Sequence, residues 1–580
     1  MKALYFLLPF LLSLTACSVP PPEGLPTVPQ WTTIDLQFNS TKNYPNPYTD
    51  TELNAIFWTQ NGDTIHRPGF WNGDSSWVVR FAPPDNHRIW QWKTSCSQQD
   101  DTGLHAQKGR LQATAYNGEN HLLQHGLLRM SPGRRSVIHA DGHPFLLIGD
   151  TPWALPFRAR QGQARTYAAY RQNQGFNAAL LMSLQPDMRA EGPDARDTEL
   201  GFARAFDDLT RSEEEIALLY QQLKDAALSE GQNPPLDGFD LRECKIEYFH
   251  YLDSLANILL DHEIVPVWQP IFHGFGWKGL DVFGNYILPE AYERYTRYLL
   301  ARYGSYPALW LLGGDNGGKD PGIKEAGEML EIWDSYQQPT GLHYSPADTF
   351  VTDWSIGNPT KHVVHYNRSY QAEPWLDFQW AQTGHGQAHE YHKVAYMYDH
   401  QPTKGVANGE PTYEGMNDGQ NGLGWWQGED AWGQLMSGGT MGVVYGAAGL
   451  WQWKVSADEV GWTSWATQNK SWEGAMRLEG ARYVGYLHVA LAELDLTDIE
   501  RRPDLTENGH WLLAREGELY LSFLPRGGQL KIPSVPRGLR KRWFNPKEGH
   551  YLEASKVTQT SFTAPNDQAW VLVIDRQGPE

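Results

Sequence analysis

Residues 308–316 read ALWLLGGDN, and residues 405–410 read GVANGE. Each stretch has the composition of a short buried strand and ends at or beside an acidic residue. Similar stretches occur on both sides of these two, and helical segments fit between most of them. Buried strands that alternate with helices indicate a parallel α/β fold. We count eight such units between about residues 125 and 475, which is the number in a (β/α)8 TIM barrel.

The eight predicted barrel strands are short and mostly apolar. They lie near residues 148 (PFLLIGD), 181 (NAALLMS), 267 (VPVWQPI), 311 (ALWLLGG), 343 (GLHYS), 365 (HVVHYN), 408 (GVANGE) and 444 (TMGVVYGA). The widest gap, between the second and third strands, contains a polar loop. A helix with a capping box, Ser212-x-x-Glu215, is expected within that loop.

The segments on either side of the barrel have a different pattern. Residues 30–118 and 476–580 consist of short alternating runs separated by turn residues, which indicates β-strands. We therefore predict a multidomain protein, partly α/β and partly all-β. A barrel over residues 125–475 would be flanked by an N-terminal Ig-like β-sandwich and a C-terminal β-sandwich.

The first residues have the pattern of an export signal. Met1-Lys2 precedes an apolar run, and the run ends in Leu14-Thr15-Ala16-Cys17, a string that resembles the bacterial lipobox. Residues 1–17 are predicted to be a lipoprotein signal peptide with Cys17 as the lipidated residue, and residues 18–29 a Pro-rich tether. Ser18 after the cysteine favours the outer membrane, at its periplasmic face or the cell surface. An ordinary secretory signal is the alternative.

Composition excludes several classes of function. Lys and Arg number 48 against 68 Asp and Glu, a net charge of −20, which argues against a nucleic-acid partner. Three cysteines are too few for a disulfide framework or a closed cysteine zinc site. The 25 Trp and 28 Tyr residues suit large cores and also the stacking of sugar rings.

Two acids stand where a barrel enzyme keeps its reactive groups. Asp315 follows the fourth predicted strand and Glu410 ends the seventh. Carboxyl ends of barrel strands meet at one mouth, and strands four and seven face each other across it. Paired carboxylates of different protonation state perform glycoside hydrolysis. The structural alternatives are helix capping by Asp315 and loop fixing by Glu410.

Several motifs together resemble the apiosidase-like glycoside hydrolases of the large (β/α)8 clan of retaining glycosidases. The motifs are Gly149-Asp150-Thr151-Pro152-Trp153, Gly175-Phe176-Asn177, Gly313-Gly314-Asp315, Glu410-Pro411-Thr412-Tyr413-Glu414-Gly415, and Tyr445-Gly446-Ala447-Ala448-Gly449 with Trp451. A further string, Trp543-Phe544-Asn545-Pro546 with Gly549, resembles the C-terminal β-domain of such proteins that is often labelled collagen-binding. The resemblance implies Asp315 as acid/base and Glu410 as nucleophile, with Glu414 as the competing nucleophile.

Other residues at strand ends are candidates for the sugar-binding shell, and each is equally compatible with a structural role. They are Asp150, Trp153, Gln269, His273, His343, Trp380, His385 and Tyr413. We expect Asp150 to bind sugar hydroxyls and Trp153 to stack on a ring, and we place Trp380 after the sixth strand.

No cofactor or metal is predicted. His385, His389, Glu390 and His392 lack the spacing of known zinc motifs, and no P-loop, dinucleotide fingerprint or serine-esterase elbow is present. The sequence thus predicts a lipid-anchored glycoside hydrolase that acts on an oligo- or polysaccharide, most simply side chains of plant cell-wall polysaccharides. The alternatives are a surface glycan-binding lipoprotein with an inactive barrel and a collagen- or protein-binding adhesin.

Overall fold

A computed structural model gives the fold of the greater part of the chain. It describes residues 24–185, 204–207, 218, 239–274, 283–316, 320–344, 351–353, 358–362, 370–459 and 470–576. The predicted signal peptide with Cys17 and the capping box at Ser212 lie outside the described residues. Within these ranges no helix is both long and apolar enough to cross a membrane.

The centre of the molecule is a closed barrel of eight parallel strands. The strands are Leu147–Asp150, Ala178–Met182, Val265–Gln269, Leu309–Asn316, Thr340–Tyr344, Phe378–Gln382, Gly405–Glu410 and Gly442–Tyr445. The first and eighth strands pair in parallel, with Asp150 opposite Tyr445, and so close the ring. The predicted fold class is confirmed.

The sixth barrel strand is not the one that the sequence predicted. The run HVVHYN near residue 365 was expected there, but Phe378–Gln382 pairs with the fifth and seventh strands instead. His362 belongs to a separate two-stranded hairpin, Val351–Asp353 with Asn358–His362, and residues 363–369 lie outside the described residues. The prediction failed because both runs are short and apolar, and local composition cannot decide between them.

Helices cover the outside of the barrel. The longer ones are Gln161–Asn173, Ile246–Asp261, Pro289–Tyr303, Ile323–Trp333, Tyr391–Tyr398, Trp425–Met436 and Gly480–Leu491. Short helices are Pro47–Asp50, His121–His125, Leu155–Arg158, Met416–Gly419 and Trp472–Met476, with 3-10 turns at Phe283–Tyr286 and Pro503–Leu505. The helix Gly480–Leu491 packs on the first and eighth strands, so the barrel layer continues past the boundary predicted at residue 475.

Two sheets form the N-terminal β-domain. One has the order Thr27–Pro29, Lys108–Thr114, Ile89–Cys96, Leu53–Trp58, Thr64–Pro68, and the other Ile34–Asn39, Ser76–Phe81, Phe70–Trp71. The side chains of Phe57 and Phe81 stack between them with ring centroids 4.0 Å apart. Thr27–Pro29 pairs in parallel with Lys108–Thr114, so the end of the predicted tether belongs to this domain.

The C-terminal domain is also built of sheets. Its larger sheet contains Glu500–Arg501, Leu513–Arg515, Leu519–Leu524, Trp570–Asp575, Arg540–Asn545, His550–Tyr551 and Ser555–Lys556. Gln529–Lys531 pairs with Ser561–Thr563, and a small sheet of Leu128–Met130, Val137–His139 and Pro144–Phe145 precedes the barrel. Phe544, from the predicted motif, is fully buried and faces Trp432 of a barrel helix.

A buried ionic cluster joins the N-terminal domain to the barrel. Arg80 of that domain donates hydrogen bonds to Asp253 and to the backbone oxygen of Arg302, both on barrel helices. Arg302 in turn donates to both carboxylate oxygens of Asp253. The two arginines hold the pKa of Asp253 at about 2 although burial opposes this. We call Arg80, Asp253 and Arg302 the interdomain cluster.

Candidate active site

Asp315 lies near the end of the fourth barrel strand, where the pairing with the fifth strand is irregular. Leu312 pairs with Leu342 and Asn316 with Tyr344, so the fourth strand contains two extra residues at this point. Gly313 and Asp315 both have positive φ, +65° and +49°. Such a conformation is strained for an aspartate, and residues held in this way cluster at functional sites.

A bulge in the seventh strand turns Glu410 towards the same space. Ala407 is opposite Trp380 and Glu410 is opposite Gln382, so Gly409 is one residue in excess. Because side chains alternate along a strand, the extra residue places Glu410 on the face that Ala407 and Trp380 share. The Trp380 indole occupies the place where a side chain at Gly409 would stand.

Asp315, Glu410 and His343 meet at the mouth of the barrel. One carboxylate oxygen from each acid and one ring nitrogen of His343 lie within 4.8 Å of one another. Glu410 and His343 are buried, and Asp315 is half-buried, with its Oδ1 atom shielded from solvent. The sequence prediction that the ends of strands four and seven bring two acids together therefore matches the arrangement in the structure.

The two acids differ in their affinity for protons. Burial, and next the charge of Glu410, raise the pKa of Asp315 to about 7. Burial also acts to raise the pKa of Glu410, but hydrogen bonds and charge from His343 and His385 outweigh it and hold that pKa below its ordinary value. Below about pH 7 the pair thus holds one proton, which resides mainly on Asp315. Neighbouring carboxyls with separated pKa values are the usual basis of an acid and base pair.

Three side chains contact the Glu410 carboxylate. Tyr413 donates its hydroxyl to Oε1 at 2.5 Å, and His343 Nε2 lies 2.7 Å from Oε2. His385 Nε2 lies 3.5 Å from Oε1 and remains partly exposed at the mouth. These contacts stabilise the ionised form of Glu410, which is the form a nucleophile requires.

A further ring of residues supports those contacts. Trp153 Nε1 donates to the Tyr413 hydroxyl at 2.8 Å, and its ring stacks on His343 with centroids 5.5 Å apart. Gln269 Nε2 lies 3.3 Å from the Gly313 oxygen and 3.5 Å from His343 Nδ1. Trp153 and Gln269 are buried, so they act here on other protein groups and not as an open sugar platform.

Other predicted sugar ligands do not lie in the open mouth. The Asp150 carboxylate is fully buried, 2.5 Å from Arg171 Nε and 3.1 Å from the Tyr167 hydroxyl, so it is not available to sugar hydroxyls. Trp380 lies on the sixth strand, not after it, and is fully buried. His273 is buried, its amide donates to the Gly314 oxygen, and its Nε2 lies 3.3 Å from the Pro321 oxygen. Of the predicted shell, only His385 combines partial exposure with a contact to Glu410.

Glu414, the competing nucleophile, has other partners. Its Oε1 accepts a hydrogen bond from the Gly424 amide, and its Oε2 accepts from the Gly480 amide and the Tyr445 hydroxyl. These bonds join the loop after strand seven to strand eight and to the helix that follows it. The geometry suits a role for Glu414 in orienting this loop.

The sequence did not indicate Gln382 as a site residue. It stands opposite Glu410 in the register, and its side chain is hydrogen bonded to Asp315, which acts to lower the pKa of that carboxyl. Gln382 is the last residue of the sixth strand, a position that would have made it a candidate. It was missed because the sixth strand was predicted near residue 365.

One group of described residues is close enough to share a metal ion, namely Asp315, His343 and Glu410. The histidine-dense stretch does not converge in this way. His389 contacts Asp430 at 2.9 Å, and His392 lies 3.5 Å from Glu390.

The closed parallel barrel with paired carboxylates at its mouth places the chain among the (β/α)8 proteins of glycoside hydrolase type. The chain belongs to the apiosidase-like family, since the catalytic-domain model of that family matches residues 131–498. Residues 27–97 match a domain of unknown function, DUF5060. No curated protein matches the chain.

Solved structures with the same architecture include several glycoside hydrolases. A candidate glycoside hydrolase from Bacteroides vulgatus ATCC 8482 has a TM-score of 0.66 and 16% identity, covering 95% of this chain and 100% of that one. A family 5 glycoside hydrolase from the same organism has a TM-score of 0.57 and 17% identity, with coverages of 78% and 94%. A third glycoside hydrolase gives 0.56 and 16%, with 79% and 98%. At these identities the similarity establishes the fold.

Proposed function

We propose that this protein is a retaining glycoside hydrolase in which Asp315 is the acid/base and Glu410 the nucleophile. The observation that carries the proposal is the close pair of carboxyls whose pKa values are shifted in opposite directions. Retaining glycosidases separate these groups by about 5–5.5 Å and inverting ones by about 6.5–9.5 Å. Oxygens within 4.8 Å of each other support the retaining arrangement.

The chemistry follows from the protonation states. Asp315 gives its proton to the glycosidic oxygen while Glu410 attacks the anomeric carbon, so the glycosidic bond breaks and a glycosyl ester forms. Asp315, now ionised, takes a proton from water, and that water displaces Glu410 from the sugar. Both groups then return to their initial states.

The test compares single substitutions at the two acids. Glu410→Ala should abolish turnover, and azide should restore part of it with a product of inverted configuration. Asp315→Ala should retain glycosylation with an activated aryl glycoside and fail on the natural linkage. Product configuration from the parent enzyme is read by NMR. Net inversion by the parent, or a fully active Glu410→Ala variant, would contradict the proposal.

As the substrate class we propose side chains of plant cell-wall polysaccharides, on the basis of the family resemblance. A panel of plant and bacterial polysaccharides with identification of the released sugar tests this choice. Release of sugar only from bacterial polysaccharides would exclude it. Glycan binding without any turnover would instead favour the inactive, glycan-binding barrel.

We also propose that Cys17 carries a lipid anchor to the outer membrane, on the basis of the Leu14-Thr15-Ala16-Cys17 string. Cys17→Ala should leave the protein unprocessed or soluble in fractionated cells. Unchanged membrane partitioning of that variant would contradict the anchor.

A further inference from the structure

Glu410 is held by two donors, Tyr413 and His343, and neither group is a donor by necessity. A phenol oxygen also accepts hydrogen bonds, and an imidazole nitrogen donates only in one of the two neutral tautomers. If either hydrogen pointed elsewhere, the phenol oxygen or the ring nitrogen would face Glu410 as an acceptor. That contact would favour the protonated form of Glu410. Other residues must therefore fix the direction of both hydrogens.

Trp153 fixes the hydrogen of Tyr413. An indole N–H donates and never accepts, and Nε1 of Trp153 lies 2.8 Å from the Tyr413 oxygen. The tyrosine oxygen therefore receives a hydrogen from that side. Its own hydrogen is left for Glu410 Oε1, 2.5 Å away. Both Trp153 and Tyr413 are buried, so water does not compete freely for these bonds.

Gln269 fixes the tautomer of His343. The Gly313 oxygen, 3.3 Å from Gln269 Nε2, only accepts, so the nitrogen end of the amide must face it. The same nitrogen faces His343 Nδ1 at 3.5 Å, and Nδ1 therefore accepts. In the neutral ring the hydrogen then resides on Nε2, the nitrogen that lies 2.7 Å from Glu410 Oε2. The stacked Trp153 ring holds the plane of the imidazole in place.

We propose that Trp153 and Gln269 are positioning residues that direct the hydrogens of Tyr413 and His343 towards Glu410 and thereby keep Glu410 ionised for catalysis. The inference deepens the proposed hydrolase function and rests on it. Removal of either residue should leave the catalytic side chains in place but allow Glu410 to gain a proton more easily. The proton of the pair would then no longer reside mainly on Asp315.

The first test removes the indole N–H and keeps an aromatic ring. In Trp153→Phe the acidic limb of the kcat/KM profile should move up by about one pH unit, the shift expected from one hydrogen bond to a charged group. In a Tyr413→Phe background the same substitution should produce no further shift, because Trp153 acts through Tyr413. Trp472→Phe, a buried indole stacked on Trp453, is the matched control and should leave the limb unchanged.

An unmoved acidic limb in Trp153→Phe would overturn the inference. So would an equal shift in the Tyr413→Phe background, or an equal shift in the Trp472→Phe control. Thermal unfolding of each variant establishes that the profile is measured on folded protein.

A second measurement needs no turnover. With 15N-labelled histidine, the His343 signals are assigned by their loss in His343→Gln. Although burial opposes it, Glu410 and Asp315 raise the pKa of His343, so the tautomer is read at alkaline pH, where the ring is neutral, and the parent should then show the hydrogen on Nε2. Gln269→Glu replaces the donor with an acceptor, so the ring should carry a hydrogen on Nδ1, either alone or together with the one on Nε2. A parent His343 with its hydrogen on Nδ1 alone would overturn the inference. Because this result does not depend on activity, a failure of the proposed hydrolase function remains distinguishable from a failure of the positioning role.

Discussion

Gly409 and Trp380 require the same space, since a Cβ atom at position 409 would lie 1.0 Å from the indole nitrogen of Trp380. Trp380 is fully buried and cannot move aside cheaply. We expect Gly409→Ala to displace the indole or straighten the bulge, with a loss of about 1–3 kcal/mol or more in the free energy of unfolding. The kcat/KM should fall by about tenfold to 100-fold, because a displacement of a reacting group by about 1 Å costs rate on this scale.

Urea unfolding and steady-state kinetics check this expectation. The matched control is Gly386→Ala in the neighbouring loop, an exposed position where the new carbon would lie 3.9 Å from the backbone nitrogen of Ala388. The control should change neither quantity appreciably. Equal behaviour of the two variants would mean that the bulge does not depend on glycine.

The pH dependence of activity should follow the two carboxyls. Asp315 must be protonated to act as an acid, and its pKa is about 7, so kcat/KM should fall about tenfold per pH unit above that point. Glu410 must be ionised, and its pKa lies below the ordinary range, so the acidic limb should appear only at low pH. A profile over pH 3–9 on a neutral substrate checks both limbs. Activity that rises through pH 7 and above would contradict the assignment of Asp315.

Asp315 should also reduce stability at alkaline pH. Its folded pKa is raised above the unfolded value, so between about pH 4 and pH 7 the folded state holds a proton that the unfolded state has lost. Stability contributed by this group is present at low pH and decreases as the pH rises across that window. Asp315→Asn should therefore melt higher than the parent at pH 8 and at the same temperature at pH 4.

A calorimetric comparison at the two pH values measures this effect. Asp141→Asn provides a control of opposite sign, because hydrogen bonds from His125 and the His143 amide lower the pKa of Asp141 despite its partial burial. That variant should lose stability at neutral pH and none in acid. An Asp315→Asn protein that melts below the parent at pH 8 would show that the carboxylate is stabilising.

Glu414 should behave as a structural residue. Glu414→Ala leaves three donors without their acceptor, and an unsatisfied buried group costs about 1–3 kcal/mol. We expect a clear loss of stability, a modest loss of activity and no response to azide. Chemical denaturation and azide rescue are measured beside Glu410→Ala. A stable, inactive Glu414→Ala that azide rescues would move the nucleophile to Glu414.

The barrel and its acids could be predicted from the sequence for a simple reason. Buried parallel strands have continuous apolar runs, and their carboxyl ends share one mouth, so Asp315 and Glu410 were expected to meet there. Side-chain direction is a different matter. A bulge reverses the alternation of a strand, and the sequence GVANGE does not reveal that Gly409 is the extra residue.

The wrong predictions for Asp150 and Trp153 depend on contacts with residues elsewhere in the chain. Asp150 stands at a strand end as a ligand would, but Arg171 on the next helix neutralises it. Trp153 has the surface of a sugar platform, yet His343, far along the chain, lies against its face. Such pairings depend on how the strands are arranged around the barrel, which local pattern does not encode.

The interdomain cluster has a consequence for how this architecture can change. Asp253 and Arg302 are barrel residues that pair with each other, and Arg80 of the N-terminal domain adds a second ion pair to Asp253 and a hydrogen bond to the backbone oxygen of Arg302. Loss or exchange of the N-terminal domain would remove one of the two arginines beside Asp253 and would leave the backbone oxygen of Arg302 without this donor, and an unsatisfied buried group costs about 1–3 kcal/mol. The two parts therefore stabilise each other, and a recombined descendant would lose stability in the barrel unless a new residue replaced the contacts of Arg80.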